Sequence, residues 1–102
     1  MTTFSKRLKE ARKSAGLSQE RLGIDAGIEP ASASARMNQY EKGVHQPGES
    51  TVLQIAAVLN LPLAYFYCEE SDTAYLLQCF HTLKKGERKE VIDLAEKLAT
   101  RR

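Results

Sequence analysis

Apolar side chains recur along this chain at intervals of three and four residues, and no stretch alternates apolar and polar positions as a strand would. That period marks amphipathic helices and predicts an all-α fold. Phe4, Leu8, Ala11 and Ala15 form the first stripe, a helix of about three turns. Gly16 is placed to end it in a left-handed cap, after which Leu17 packs back onto the core. Ser18 caps a second helix with Leu22 and Ala26 facing inward and Glu20 in the first turn, where the helix dipole favours it. Gly23 costs that helix about 1 kcal/mol relative to Ala, which makes sense if another helix crosses close over it. Gly27 breaks the helix and Ile28 anchors the turn.

The next segment has a different character. Pro30 fits either the turn or the first helical position, and Glu29 or Ser32 can cap. From Ala31 to Glu41 no residue breaks a helix, which is expected over about residues 32–41. Its inward candidates are Met37 and Tyr40, with Ala33 a turn earlier. The remaining positions are Ser32, Ser34, Ala35, Arg36, Asn38 and Gln39. With several Ser and one Asn such a helix has weak propensity, so surface propensity alone did not choose these residues.

Lys42 to Gly48 reads as a loop from its Gly and Pro content. Ser50 can cap a fourth helix whose buried stripe is Val52, Ile55, Ala56 and Leu59, with Asn60 as a left-handed terminator. Pro62 opens a short helix, LPLAYFYC, whose Leu63 and Phe66 can close the core. After the acidic break from Glu69 to Asp72, two more stripes follow. Leu76, Leu77 and Phe80 lie on a helix of about 73–83, and Val91, Leu94, Ala95 and Leu98 on one of about 87–100. Lys84-Lys85-Gly86 joins the two as a helical hairpin.

A length of 102 residues leaves room for one core, without a separate ligand-binding domain. A net charge of +2 is too small to point to nucleic acid, but its distribution is uneven. Lys6, Arg7, Lys9, Arg12 and Lys13 crowd the first helix. Such a cluster is either a solvated helix face or a set of phosphate contacts, and charge alone favours the former. No apolar run approaches the roughly 18 residues of a membrane span, and the N-terminus lacks a secretory h-region. Cys68 and Cys79 form no CxxC pair and read as reduced, buried small hydrophobes of a cytoplasmic protein. With His45 and His81 they lack the tight pairing of a structural zinc site. No nucleophile elbow or phosphate-binding glycine loop is present, so neither enzyme activity nor a cofactor is expected. Tyr65, Phe66 and Tyr67 form an aromatic cluster that either packs the core or meets a subunit.

Three segments carry a family resemblance: RLKEARKSAGLSQERLG from Arg7 to Gly23, YEKGVHQP from Tyr40 to Pro47, and TVLQIAAVLNLPLAYF from Thr51 to Phe66. In this order and spacing they resemble the lambda-repressor-like, Xre-type helix-turn-helix family. The interval from Ile28 to Glu41 exceeds the family pattern by about four residues, roughly one helical turn. A longer third helix or a longer turn before it would absorb the difference, and Ala31-Ser32-Ala33-Ser34 is the expected insert.

The resemblance implies a five-helix DNA-binding domain over residues 1–68, with 69–102 as a helical hairpin serving dimerisation. It implies a third helix in the major groove of double-stranded DNA and the preceding helix across the backbone. Carried onto this chain, Ser34, Arg36 and Gln39 face the groove, with Asn38 at its margin and Ser32 near its start. Gln19, Lys42 and Lys6 meet the backbone. Arg can bond guanine bidentately and Gln or Asn adenine. A transcriptional repressor acting as a homodimer follows, with recognition helices about 34 Å apart. The alternative is an antitoxin-like or phage-control protein whose main partner is another protein, such as a toxin.

Overall fold

In a computed structural model that describes residues 2–101, the helical period is realised throughout. Six α-helices run α1 (Thr3–Ser14), α2 (Gln19–Asp25), α3 (Pro30–Lys42), α4 (Glu49–Leu59), α5 (Ser71–His81) and α6 (Lys85–Ala99), with a 3₁₀ helix (Leu63–Tyr67) between α4 and α5. The 3₁₀ helix is the fifth element expected after α4. No strand occurs among the described residues.

One core lies inside the first five elements. Phe4 and Leu8 of α1, Leu22 of α2, Met37 of α3, Val52 and Ile55 of α4 and Phe66 of the 3₁₀ helix are all buried. Phe4 meets Phe66 and Tyr67 with ring centroids 5.7 and 5.8 Å apart, and Tyr65 meets Phe66 edge-on at 5.3 Å. The aromatic cluster is therefore core at Tyr65 and Phe66, while Tyr67 keeps an exposed edge.

Local signals explain the helix ends. Thr2 Oγ1 accepts from the Ser5 amide and Ser18 Oγ from the Arg21 amide. Gly16 takes φ +71°, and the Leu17 amide donates back to the Arg12 carbonyl, closing α1. Asn60 ends α4 with φ +54°. Gly48 caps α4, not Ser50, and Glu49 takes the first-turn position that the dipole favours. Helix α5 starts at Ser71 and α6 at Lys85, each about two residues before the apolar stripe indicates. The joint is therefore Thr82–Lys84, with Gly86 inside α6. The cysteines also differ from expectation, because Cys79 is exposed on α5 and Cys68 only half-buried. Cys79 lies on the side of α5 opposite its anchor, Ala74.

The last two helices behave differently from each other. Helix α5 packs against the 3₁₀ helix and buries Ala74. Helix α6 buries none of its residues, and the molecule is elongated, 53 × 26 × 23 Å. At the open joint, Arg88 stacks on Phe80 at 4.9 Å and donates to the His81 carbonyl. Ile92, Leu94 and Leu98 of α6 remain about half exposed.

Candidate nucleic-acid interface

Two devices set the geometry of α2 and α3, the most extensively packed helix pair. The first is the absence of a side chain at Gly23. A Cβ there would lie 2.8 Å from the Ala33 Cβ and 3.0 Å from the Ala33 carbonyl oxygen, so α3 crosses α2 at backbone contact. The second is the turn. Gly27 adopts φ +91°, which an L side chain rarely takes, and the Ile28 amide donates to the Gly23 carbonyl at 2.9 Å. Pro30 then opens α3 with a preset φ and no amide to satisfy. Helix α3 thus begins two residues before the expected Ser32.

Helix α3 turns one stripe inward: Ala33, Met37, Tyr40 and Glu41 are buried. Opposite it lie Ala31, Ala35, Gln39 and Lys42, all exposed. At 100° per residue these four form the middle of the outward face. Arg36 and Ser32 fall on one edge, Ser34 and Asn38 on the other. Arg36 and Ser34 are exposed, whereas Ser32 and Asn38 are half-buried. The expected residues thus flank one outward strip, with Ser34 and Arg36 about 200° apart on its opposite edges, and its centre includes Ala31 and Ala35, which sequence reasoning did not name. Counting around the buried stripe would have found them. On the Arg36 side, the loop residues His45, Gln46 and Pro47 complete a shallow cleft with Gln39.

On the Asn38 side lies a polar network built on a buried carboxylate. Glu41 is 3% exposed. Arg12 grips it bidentately, Nε to Oε2 and Nη2 to Oε1 at 3.1 Å. Gln19 Nε2 donates to the same Oε1 at 3.2 Å and to Asn38 Oδ1 at 3.3 Å. Arg12 Nη1 also donates to the Leu17 carbonyl at 2.9 Å. Three elements, α1, α2 and α3, are thus tied at the C-terminal end of α3. Charged and bidentate hydrogen bonds are about twice as strong as neutral ones, and a carboxylate in this setting holds α3 against rotation.

The cationic cluster of α1 divides in two. Arg7 is buried and Arg12 serves Glu41, so neither belongs to a solvated face. Lys9 and Lys13 remain exposed and share one cleft with Gln19, Asn38 and Lys42. Lys6 lies apart, in a cleft with Thr2, Thr3, Glu69 and Glu70. Gln19 and Lys42 are therefore brought together, and Lys6 is not with them.

Residues 8–66 match the helix-turn-helix family. The chain belongs to that family. Its helix-turn-helix is α2, the turn at Gly27 and α3, as the lambda-repressor-like resemblance implied. An uncharacterized HTH-type transcriptional regulator of Sinorhizobium medicae is 34% identical over 61 residues, covering 60% of this chain and 41% of that protein. One from Rhizobium meliloti is similar to the same extent. The chain thus spans less than half the length of these curated relatives. The crystal structure of the transcriptional regulator BswR is 43% identical and superposes with a TM-score of 0.87 over the full length of both chains. That likeness includes the two helices beyond the helix-turn-helix match. No described helix is long and apolar enough to cross a membrane.

Proposed function

We propose that this protein is a sequence-specific, double-stranded-DNA-binding transcriptional regulator that represses as a homodimer in the cytoplasm, with α3 in the major groove. The observation that carries the reading is the outward face of α3. Alanines share its centre with Gln39 and Lys42, polar side chains line its edges, and a buried ion pair ties it to α1. Ala31 and Ala35 let the helix backbone seat close to base edges. Gln39 then reaches adenine from the centre of the face and Arg36 guanine from one edge. Ser32, Ser34 and Asn38 make the shorter contacts. Gln19 and, from the C-terminal end of α3, Lys42 take phosphates, joined by Lys9 and Lys13 from the shared cleft. Lys6 meets a phosphate further along the backbone.

In this reading residues 1–68 bind DNA and 69–102 pair two copies. Support comes from the α5–α6 surface, where Tyr75, Leu76, Ile92, Leu94 and Leu98 stay exposed. The charges on α6 are Lys85, Arg88, Lys89 and Lys97 against Glu87, Glu90, Asp93 and Glu96, a balanced set suited to a second copy of itself. Two copies related by a two-fold axis would present α3 to successive major-groove faces about 34 Å apart. Repression needs nothing more than occupancy of such a site over a promoter.

Selection of random duplex DNA by the purified protein tests this reading. The expected product is an inverted repeat with half-sites centred about one helical turn apart, which lowers transcription when placed across a reporter promoter. A selected pool no richer in any sequence than the starting pool would contradict it.

A further inference from the structure

Arg7 is the one α1 cation that the DNA reading does not use, and its surroundings give it a different task. It is 2% exposed, in a position where an arginine is rarely found without partners. Its Nε donates to the Cys68 carbonyl at 2.8 Å and its Nη2 to the Glu69 carbonyl at 2.7 Å. Its Nη1 pairs with the Glu10 carboxylate at 3.2 Å. The two carbonyls belong to Cys68–Glu70, the three-residue junction between the 3₁₀ helix and α5. A planar guanidinium gripping two successive carbonyls fixes the direction in which the chain leaves the core. The junction is further held by the Cys68 amide on the Tyr65 carbonyl, and α5 by its buried Ala74.

We infer that Arg7 is a positioning residue for half-site spacing: it sets the angle at which the α5–α6 arm leaves the DNA-reading module. This rests on the proposed homodimer. If two modules are joined through their arms, the arm angle fixes the separation and rotation of the two α3 helices. One added base pair moves a half-site by about 3.4 Å along the axis and roughly 35° around it. A rigid junction therefore selects one spacer length, and a loose one accepts several. The same α1 helix carries Lys9, Lys13 and, through Arg12, the clamp on α3, so Arg7 ties the arm to the element that orients the reading head.

The test is site selection by wild type and Arg7→Lys, each checked for helicity by circular dichroism and for mass by sedimentation. Lysine keeps the charge but not the fork, so it can hold at most one carbonyl in the same geometry. The expected result is an unchanged half-site sequence in both proteins, with one spacer length in wild type and a spread of lengths in Arg7→Lys. A dimeric, folded Arg7→Lys protein that keeps the single wild-type spacer overturns the inference. So does one that loses affinity equally at every spacing, which is the mark of a merely structural role. A monomeric wild type overturns the dimer reading and this inference with it, so the two failures are distinguishable. If Arg7→Lys fails to fold, one glycine inserted between Glu70 and Ser71 leaves the Arg7 contacts in place and turns the arm. The expected result there is a spacer that moves to a new preferred length, and an unmoved spacer overturns the inference.

Discussion

Gly23 shows how much one missing side chain decides. Alanine would favour the helix by about 1 kcal/mol, yet its Cβ would sit 2.8 Å from that of Ala33 and 3.0 Å from a backbone oxygen. Backbone does not yield as a flexible side chain does, so overpacking of about 1–3 kcal/mol should win. Gly23→Ala should lower the melting temperature by several degrees, and adding Ala33→Gly should restore part of it. A Gly23→Ala protein more stable than wild type would mean that α2 and α3 do not cross this closely. Glu41 is the second deciding residue. Removing one partner of a buried ion pair costs about 3–5 kcal/mol, whereas replacing both with apolar side chains can be nearly neutral. In urea unfolding, Glu41→Leu and Arg12→Met should each be strongly destabilised and the double variant much less so. Additive losses would contradict the pairing. The crossing at Gly23 was legible in the sequence, because glycine inside a helical pattern needs a reason. The role of Glu41 was not. A lone Glu near a helix end reads as surface, and its partner Arg12 lies 29 positions away. Arg7 misled for the same reason: a buried cation in a basic run has no local signature.

At the scale of elements, the helical stripes were readable because each has a core to face. Ala33, Met37 and Tyr40 gave the inner side of α3 correctly. Its outer side was read from the family resemblance, which named Ser32, Ser34, Arg36, Asn38 and Gln39 and neither Ala31 nor Ala35. Pro30 suits a first helical position as well as a turn, which leaves the start of α3 undecided in the sequence, and the structure puts it at the first helical position. Helices α5 and α6 start before their apolar stripes because Asp72 and Glu87 lie in first turns, where acidic residues complement the dipole. Helix α6 itself adds little to the folded monomer, mainly the Arg88–Phe80 stack, worth roughly 0.5–2 kcal/mol. A chain ending at Thr82 should therefore keep its helical core and nearly its full unfolding midpoint, while sedimenting as a monomer. Dimers that persist without α6 would move the interface to α5 and Tyr67.

For the whole molecule, the proposed regulator joins a reading head to an arm that pairs two copies, with binding strength supplied largely by phosphate contacts. Each phosphate neutralised contributes about −0.9 to the slope of log affinity against log salt. Lys9→Gln or Lys42→Gln should therefore weaken binding to all sequences alike and flatten that slope, by about two such increments in a dimer. A steep slope unchanged by either substitution would remove these lysines from the interface. The placement of α3 in the groove is tested most directly by the base preference of Arg36→Ala, selected in parallel with wild type. Arg36 stands exposed at the edge of α3 and packs in no core, so its loss should leave the fold intact. Arg36→Ala should lose preference at one position in each half-site, by about 1–3 kcal/mol, and keep it elsewhere. Selection of the same site with the same preference at every position would contradict the placement of α3 in the groove.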